Sequence, residues 1–414
     1  MSFTTRPEIR GTFGVVTSTH WIASAVGMGI LERGGNAFDA AVATAITLQV
    51  VEPHLNGPAG DMPAIFQKVG EAVQVVCGQG PAPAAATIEH YRAEGLTLIP
   101  GSGLLATVIP GAFDGWMLLL RDHGTFSLRD VLAPAIGYAR DGHPILPRVA
   151  NTIAGLADYF AEHWPSSAEV WTPGGAAPEA HALFRNPDLA RTYERLVEAG
   201  EAAGDDRVAQ IDAARSEWRG GFVADAVSDY LAEANVMDVS ETSHRGVLTR
   251  EDMAGWQASY EDSLSYEYHG WTVHKTQAWG QGPVLLQALA ILKHLDLAAM
   301  DPMGADFVHV VIEAIKLAYA DREAYYGDPA QSDIPMEYLL SDAYNADRAT
   351  LIGATASTDQ RPGRVPGFAH LSDAYIARAT RDFGVADAAP QEPTMAHLTE
   401  KRGDTVHIDV IDAA

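Results

Sequence analysis

From Trp21 to Val51 the chain reads WIASAVGMGILERGGNAFDAAVATAITLQVV, and small or apolar residues lie on nearly every side of its second half. A helix of that kind has no polar face to turn to water, so it must be enclosed by other elements. Gly34 and Gly35 break the stretch into two helices. Asn36 is placed to cap the second, with Asp39 in its first turn, where the helix dipole favours a carboxylate. The following PHLNGPAGDMPAIFQ predicts a Gly/Pro loop entering a strand, and AVQVVCG predicts the next strand. Helix and strand are interleaved from the outset.

Further along, Gly and Pro between Tyr91 and Gly111 predict an exposed connection, followed by a helix around AFDGWMLLLRDHG. Residues from about Leu128 to Leu231 are mostly helical by pattern, and LRDVLAPAIGYARDG and NPDLARTYERLVEAG each reach a glycine where a helix is expected to stop. Thr249 and Asp252 in LTREDMAGW are spaced as a capping box. LSYEYHG and WTVHKTQ predict a strand pair, AWGQGP a loop, and VLLQALAILKHL and FVHVVIEAIKLAYADREAYYGD two helices. From Ala330 to Ala396 the composition turns loop-rich, and no internal repeat is visible.

With 414 residues, 47% hydrophobic, the chain can bury a substantial core. Its formal net charge of -26 repels phosphate backbones and anionic lipid, which argues against nucleic-acid and membrane-surface partners. The N-terminal MSFTTRPEIRGTFG has no apolar stretch of the signal-peptide kind, so a cytoplasmic location is expected. Cys77 is the only cysteine, which excludes an intrachain disulfide framework and a thiolate metal cage. Its apolar strand context suits a small buried hydrophobe better than a nucleophile.

Fifteen histidines do not make a metal site: no H-E-x-x-H occurs, and His244, His269 and His274 lack ligand spacing with nearby carboxylates. Gly27 and Gly29, like Gly280 and Gly282, give G-x-G without the third glycine of a dinucleotide fingerprint. A G-x-S-x-G elbow is absent as well. Scattered surface or core histidines explain the first pattern better than a metal site, and neither glycine pair makes a phosphate cradle.

The chain closes on KRGDTVHIDVIDAA, where Val406, Ile408 and Val410 alternate as in a half-buried strand beginning at Thr405. A threonine hydroxyl is a poor nucleophile because it needs a base. Were the peptide bond before Thr405 cut, the freed α-amine, with a pKa near ~8, would itself be that base. An exposed β-branched residue opening a strand is the commoner meaning of such a pattern.

Several stretches read together carry a resemblance. GMGILERGGNAFDAAVATAITLQVVEPHLNGPAGD closely resembles the N-terminal signature of the γ-glutamyltransferase (γ-glutamyl transpeptidase) family. IPGAFDGW, LAPAIGYARDG and EAIKLAYADREAYYGDP resemble further blocks of that family in the same order, and GDTVHIDVID resembles its self-processing site. The resemblance implies an α+β N-terminal-nucleophile hydrolase with a four-layer αββα sandwich. It implies autoproteolysis between Asp404 and Thr405, with residues 1–404 as large subunit and 405–414 as the start of a small one. Thr405 would then attack the carbonyl of a small-molecule amide to form an acyl-enzyme. Only nine residues follow Thr405, so the expectation is a truncated product or a large-subunit piece whose small-subunit partner is missing. Lacking the family's oxyanion donors, worth ~10²- to 10³-fold each, it would be essentially inactive alone. A homo-oligomer is compatible with this reading.

Two departures bear on substrate. Members acting on glutathione carry an arginine after an Ala-Pro-x-x-Ala-Thr stretch, where it pairs with the substrate carboxylate. In GPAPAAATIEHYRAEG the matching residue is Ile88, and the nearest arginine is Arg92. An apolar side chain cannot act as a bidentate clamp. Val406 and Asp409 stand where transpeptidases have threonine and serine, and TQAWGQGP replaces a serine-rich loop, choices closer to the acylase-type branch. The alternatives to a γ-glutamyltransferase-like enzyme are thus an acylase or amidase on other amides, or a non-catalytic scaffold subunit. Asn36, Asp39, Glu52 and His54 are read as structural, and the pairs Arg140/Asp141 and Asp321/Arg322 as scaffold ion pairs or caps.

Overall fold

The computed structural model describes residues 9–383 and 405–413, and the chain divides into two compact units. The first contains the described residues up to Met62, then Cys77–Ser259, then the C-terminal strand. The second contains Pro63–Val76 and residues 260–383. The α+β class expected from the sequence holds, with the described strands in five sheets of two or three strands.

In the first unit, strand β1 (Gly14–Ser18) leads into α1 (Trp21–Glu32) and α2 (Ala37–Val51), broken at Gly34 and Gly35 as the sequence predicts. The Asn36 side chain accepts from the Phe38 and Asp39 N–H groups at 3.0 Å, and Asp39 accepts from the Asn36 N–H at 3.0 Å. Asp39 also accepts from the Thr125 N–H, the Thr125 hydroxyl and the Phe126 N–H at 2.8, 2.8 and 3.0 Å. A carboxylate with no exposure is tolerated because every lone pair has a donor.

Twelve of the fifteen α2 residues are buried, so its few polar groups must be satisfied within the fold. The Thr44 and Thr47 hydroxyls donate to the Ala40 and Ala43 carbonyls at 2.7 Å, and Gln49 accepts from the Tyr193 hydroxyl at 2.7 Å. Against this helix α1 packs through Gly27. A Cβ there would lie 2.1 Å from Thr44 Oγ1 and 2.9 Å from a Val16 methyl, so only glycine fits the crossing.

Downstream, a short helix α3 (Ile88–Ala93) already interrupts the connection that the sequence predicts as exposed, and α4 (Ala112–His123) and α5 (Leu128–Asp141) follow. Gly142, at φ 102°, ends α5. Strand β4 (His143–Pro144) then precedes α6 (Pro147–His163). Helix α8 (Pro187–Ala202), which comes after α7 (Pro165–Trp171), does not stop at Gly200. A Cβ at Gly200 would lie 2.8 Å from the Gln210 carbonyl and 2.9 Å from Leu128, so this glycine admits α9 (Arg207–Gly220) rather than ending α8. Asp114 and Arg215 form a buried bidentate pair at 2.8 and 3.1 Å. Helix α10 (Phe222–Glu233) and α11 (Arg250–Gly255) complete the helical part, the latter opened by the Thr249/Asp252 capping box; β5 (Leu183–Phe184) pairs with β4, and β6 (Val236–Met237) with β7 (Ser243–His244).

In the second unit, β2 (Pro63–Phe66), β3 (Gln74–Cys77) and β8 (Ser259–Asp262) form one sheet. Strands β9 (Leu264–Tyr268) and β10 (Trp271–Lys275) form the predicted antiparallel pair. His269 and Gly270, at φ 47° and 87°, make its turn. Helices α12 (Gly282–Leu292) and α13 (Ala305–Tyr325) match the sequence reading.

The loop-rich reading of residues 330–396 needs correction. Helices α14 (Met336–Leu339), α15 (Asp342–Ala349) and α16 (Ala369–Phe383) occupy much of it, and residues 384–396 lie outside the described ones. The first two are short, four and eight residues, and α15 is held by its Ser341 cap and by the buried Asn345 and Arg348.

The pairing of Asp321 with Arg322 is also corrected. Asp321 is fully buried and accepts from Gln287 Nε2 (2.5 Å), the Gly363 N–H (2.6 Å), the Tyr344 hydroxyl (2.9 Å) and Arg348 (3.2 Å). Arg322 points instead to Glu323 at 2.5 Å. Asp321 lies on the buried side of α13 and Arg322 on its solvent side, so the two carry different partners.

Candidate active site

The last strand, β11 (Ile408–Asp412), pairs antiparallel with β1, Ser18 opposite Ile408 and Gly14 opposite Asp412. It thus begins three residues later than the sequence reading from Thr405. The ladder stops because β1 gives way at Ser18 to the first turn of α1, leaving residues 405–407 no neighbour to pair with on that strand. Ile408 and Val410 are half-buried, whereas Thr405 is exposed. Asp404 lies outside the described residues.

At the ladder's Ile408 end, Thr19 donates its hydroxyl to the buried carboxyl of Glu52, the residue that ends α2. Next along, His20 caps α1, its Nδ1 accepting the Ile22 N–H at 3.1 Å. That bond assigns the neutral ring's proton to Nε2.

Burial pushes the His20 imidazole down to about 4, helped by the nearby His143 and His54 rings. His54 also falls to about 4, through burial and then the positive Arg148. Burial lowers His143 as well. Burial raises the Glu52 carboxyl, opposed by the Thr19 hydroxyl and by Arg148. The three imidazoles are therefore neutral at neutral pH, and none offers an imidazolium acid.

Asn36 and Asp39 are caps, as read from the sequence, and Glu52 and His54 sit in this polar group at the end of α2. His20 and His143 escaped sequence reasoning. A histidine N-cap is uncommon, and nothing local marks two histidines 123 positions apart as neighbours.

Ile88 opens α3 behind the Thr87 cap, and 64% of it is exposed. No guanidinium therefore occupies that position. Cys77 ends β3 only partly buried, less enclosed than the sequence suggested. The Arg140 and Asp141 side chains pair on the surface at 2.8 and 2.9 Å, as a scaffold pair would. Among the described residues, no group of three or more His, Cys, Asp or Glu is placed to hold a metal ion. No described helix is long and apolar enough to cross a membrane.

A strand following a candidate nucleophile, laid on a buried helical layer in an α+β chain, suits an N-terminal-nucleophile hydrolase. The chain belongs to the gamma-glutamyltranspeptidase family, whose sequence model matches residues 23–414. It is 32% identical to the glutathione hydrolase-like YwrD proenzyme of Bacillus subtilis (strain 168), over 97% of this chain and 73% of the relative. The solved structure of LmbA2991HD is similar, with 47% identity and a TM-score of 0.86, over 99% of this chain and 67% of that one. Cephalosporin acylase from Bacillus halodurans shares 30% identity at a TM-score of 0.75, over 87% of this chain and 64% of that one.

Proposed function

We propose that this chain is the self-processing part of an amidohydrolase or acyltransferase, cut between Asp404 and Thr405 to free the Thr405 amine. In this reading the α-amine takes the hydroxyl proton as Oγ1 attacks an amide carbonyl. The leaving amine departs with that proton, leaving an ester on Thr405. Water or a second amine then releases the acyl group and restores the hydroxyl. No cofactor is needed, because the nucleophile carries its own base.

The observation that carries this reading is the placement of Thr405: exposed, and three residues ahead of a strand tied to β1 and to the start of α2. Relatives named as proenzymes support it. Residues 1–404 form the large-subunit region, and 405–414 begin a small subunit whose remainder would supply the oxyanion donors.

Within this chemistry, Ile88 favours hydrolysis of non-glutamyl amides over glutathione. Mass spectrometry of the full-length gene product tests the reading: a fragment beginning at Thr405 is expected, and the Thr405→Ala variant should stay uncut. A Thr405→Ala protein that still cleaves and turns over amides would falsify it.

A further inference from the structure

Residues 236–244, VMDVSETSH, form a tight hairpin through β6 and β7 in the first unit. The Asp238 N–H donates to the Thr242 carbonyl and the Glu241 N–H to the Asp238 carbonyl, both at 3.0 Å. Glu241, at φ 61°, takes the left-handed conformation without being glycine, a strained backbone directly ahead of Thr242. The base of the hairpin is fixed from outside. The Tyr159 hydroxyl and Trp164 Nε1 donate to the Met237 carbonyl at 3.0 and 2.7 Å, and Ser102 Oγ accepts the Val239 N–H at 3.2 Å.

On this rigid turn four side chains close a ring. Asp238 and His244 are buried, whereas Thr242 is exposed. Asp238 Oδ2 lies 2.7 Å from His244 Nδ1. A carboxylate only accepts, so Nδ1 carries the ring proton, and Nε2 offers its lone pair to Thr242 Oγ1 at 3.3 Å. Ser240 Oγ donates to Asp238 Oδ1 at 2.6 Å and lies 2.6 Å from Thr242 Oγ1. Hydroxyl, base and carboxylate thus follow one another in the order that activates a nucleophile. Among the described residues the Thr242 N–H has no acceptor, which leaves it for a substrate oxygen.

We propose that Thr242 is a second acyl-transfer site of this chain, with His244 as its base and Asp238 orienting the imidazole, and that it accepts the acyl group of a small ester. Thr242 Oγ1 bonds to the ester carbonyl carbon as its proton passes to His244 Nε2. The carbon–oxygen bond to the alcohol breaks, and the alcohol leaves with that proton. Water, deprotonated by the same nitrogen, then releases the carboxylic acid and restores the hydroxyl. A single backbone donor stabilises the oxyanion less than a pair does, which restricts the site to esters with good leaving groups. None of these residues belongs to the strand after Thr405 or to the histidine group at the end of α2.

The test treats the full-length Thr405→Ala protein with p-nitrophenyl acetate and locates the acetyl group by peptide mass spectrometry. Acetyl is expected on Thr242, lost in Thr242→Ala and retained in Thr242→Ser. His244→Gln should slow its formation about 10²- to 10⁴-fold. Asp238→Asn should lower the maximal rate and leave the half-saturating ester concentration unchanged, a split that a merely structural role does not give. Acetyl found only on Ser240 or on lysines, or formed on Thr242 at an equal rate in folded His244→Gln, overturns the proposal. The Thr242 variants alter an exposed side chain, so they decide the matter even where a substitution of buried His244 does not fold.

Discussion

The Asp412 carboxylate accepts the backbone N–H of Ala37 at 2.7 Å, joining residues 375 positions apart. The strand that follows Thr405 is thereby fixed to the N-terminus of α2, where the helix dipole favours a negative charge. Asp412→Ala should cost about 1–3 kcal/mol in urea denaturation, the range for a hydrogen bond to a charged group. Asp412→Asn, which keeps an acceptor, should cost less. Equal midpoints for all three proteins would remove the anchor from the account.

The histidines around Glu52 set a pH dependence. His20 and His54 fall from 6.5 to about 4 in the folded chain. The unfolded chain therefore binds more protons between those values, so their stabilising contribution is complete above pH 6.5 and declines toward pH 4. The raised Glu52 carboxyl works in the opposite sense and softens the decline. His20→Asn keeps a helix cap and deletes one titration. Its denaturation midpoint should fall less than that of the parent between pH 7 and 4.5, and an identical decline refutes the assignment.

Much of this architecture could be read from the sequence wherever the signal was local. The Asn36/Asp39 and Thr249/Asp252 caps, the glycine break before α2 and the β9–β10 pair each depend on residues a few positions apart. The Asp321–Arg348 pair, the Thr19–Glu52 bond and the His20–His143 neighbourhood join distant segments, and no spacing announces them. Gly200 misled because a glycine permitting close packing looks in sequence like one ending a helix. Thr405 could be singled out, but the start of its strand depends on where β1 ends.

Asp321 gathers four donors in the second unit, and its loss would leave the buried Arg348 without its carboxylate. Asp321→Ala should destabilise by about 3–5 kcal/mol. Tyr344→Phe, which removes a single donor, should cost about 1 kcal/mol. Guanidinium denaturation followed by tryptophan fluorescence separates the two, and similar midpoints would argue against a hub at Asp321.

The exposed Ile88 gives a direct probe of substrate choice. Ile88→Arg introduces the guanidinium that the family resemblance implies at this position for members acting on glutathione, and a hydrogen bond to a charged group contributes about 1.5–3 kcal/mol. Turnover of a γ-glutamyl anilide by the full-length enzyme, relative to a neutral acyl anilide, should rise about 10- to 100-fold. An unchanged ratio would mean that position 88 does not face the substrate.

At the Gly27 crossing two helices and a strand approach within the width of one missing methyl group. Thermal motion there cannot slide α1 along α2 without carrying β1 with it, and β11 travels with β1 through their ladder. The strand that follows Thr405 is thereby seated, from Ile408 onward, on a stiff base.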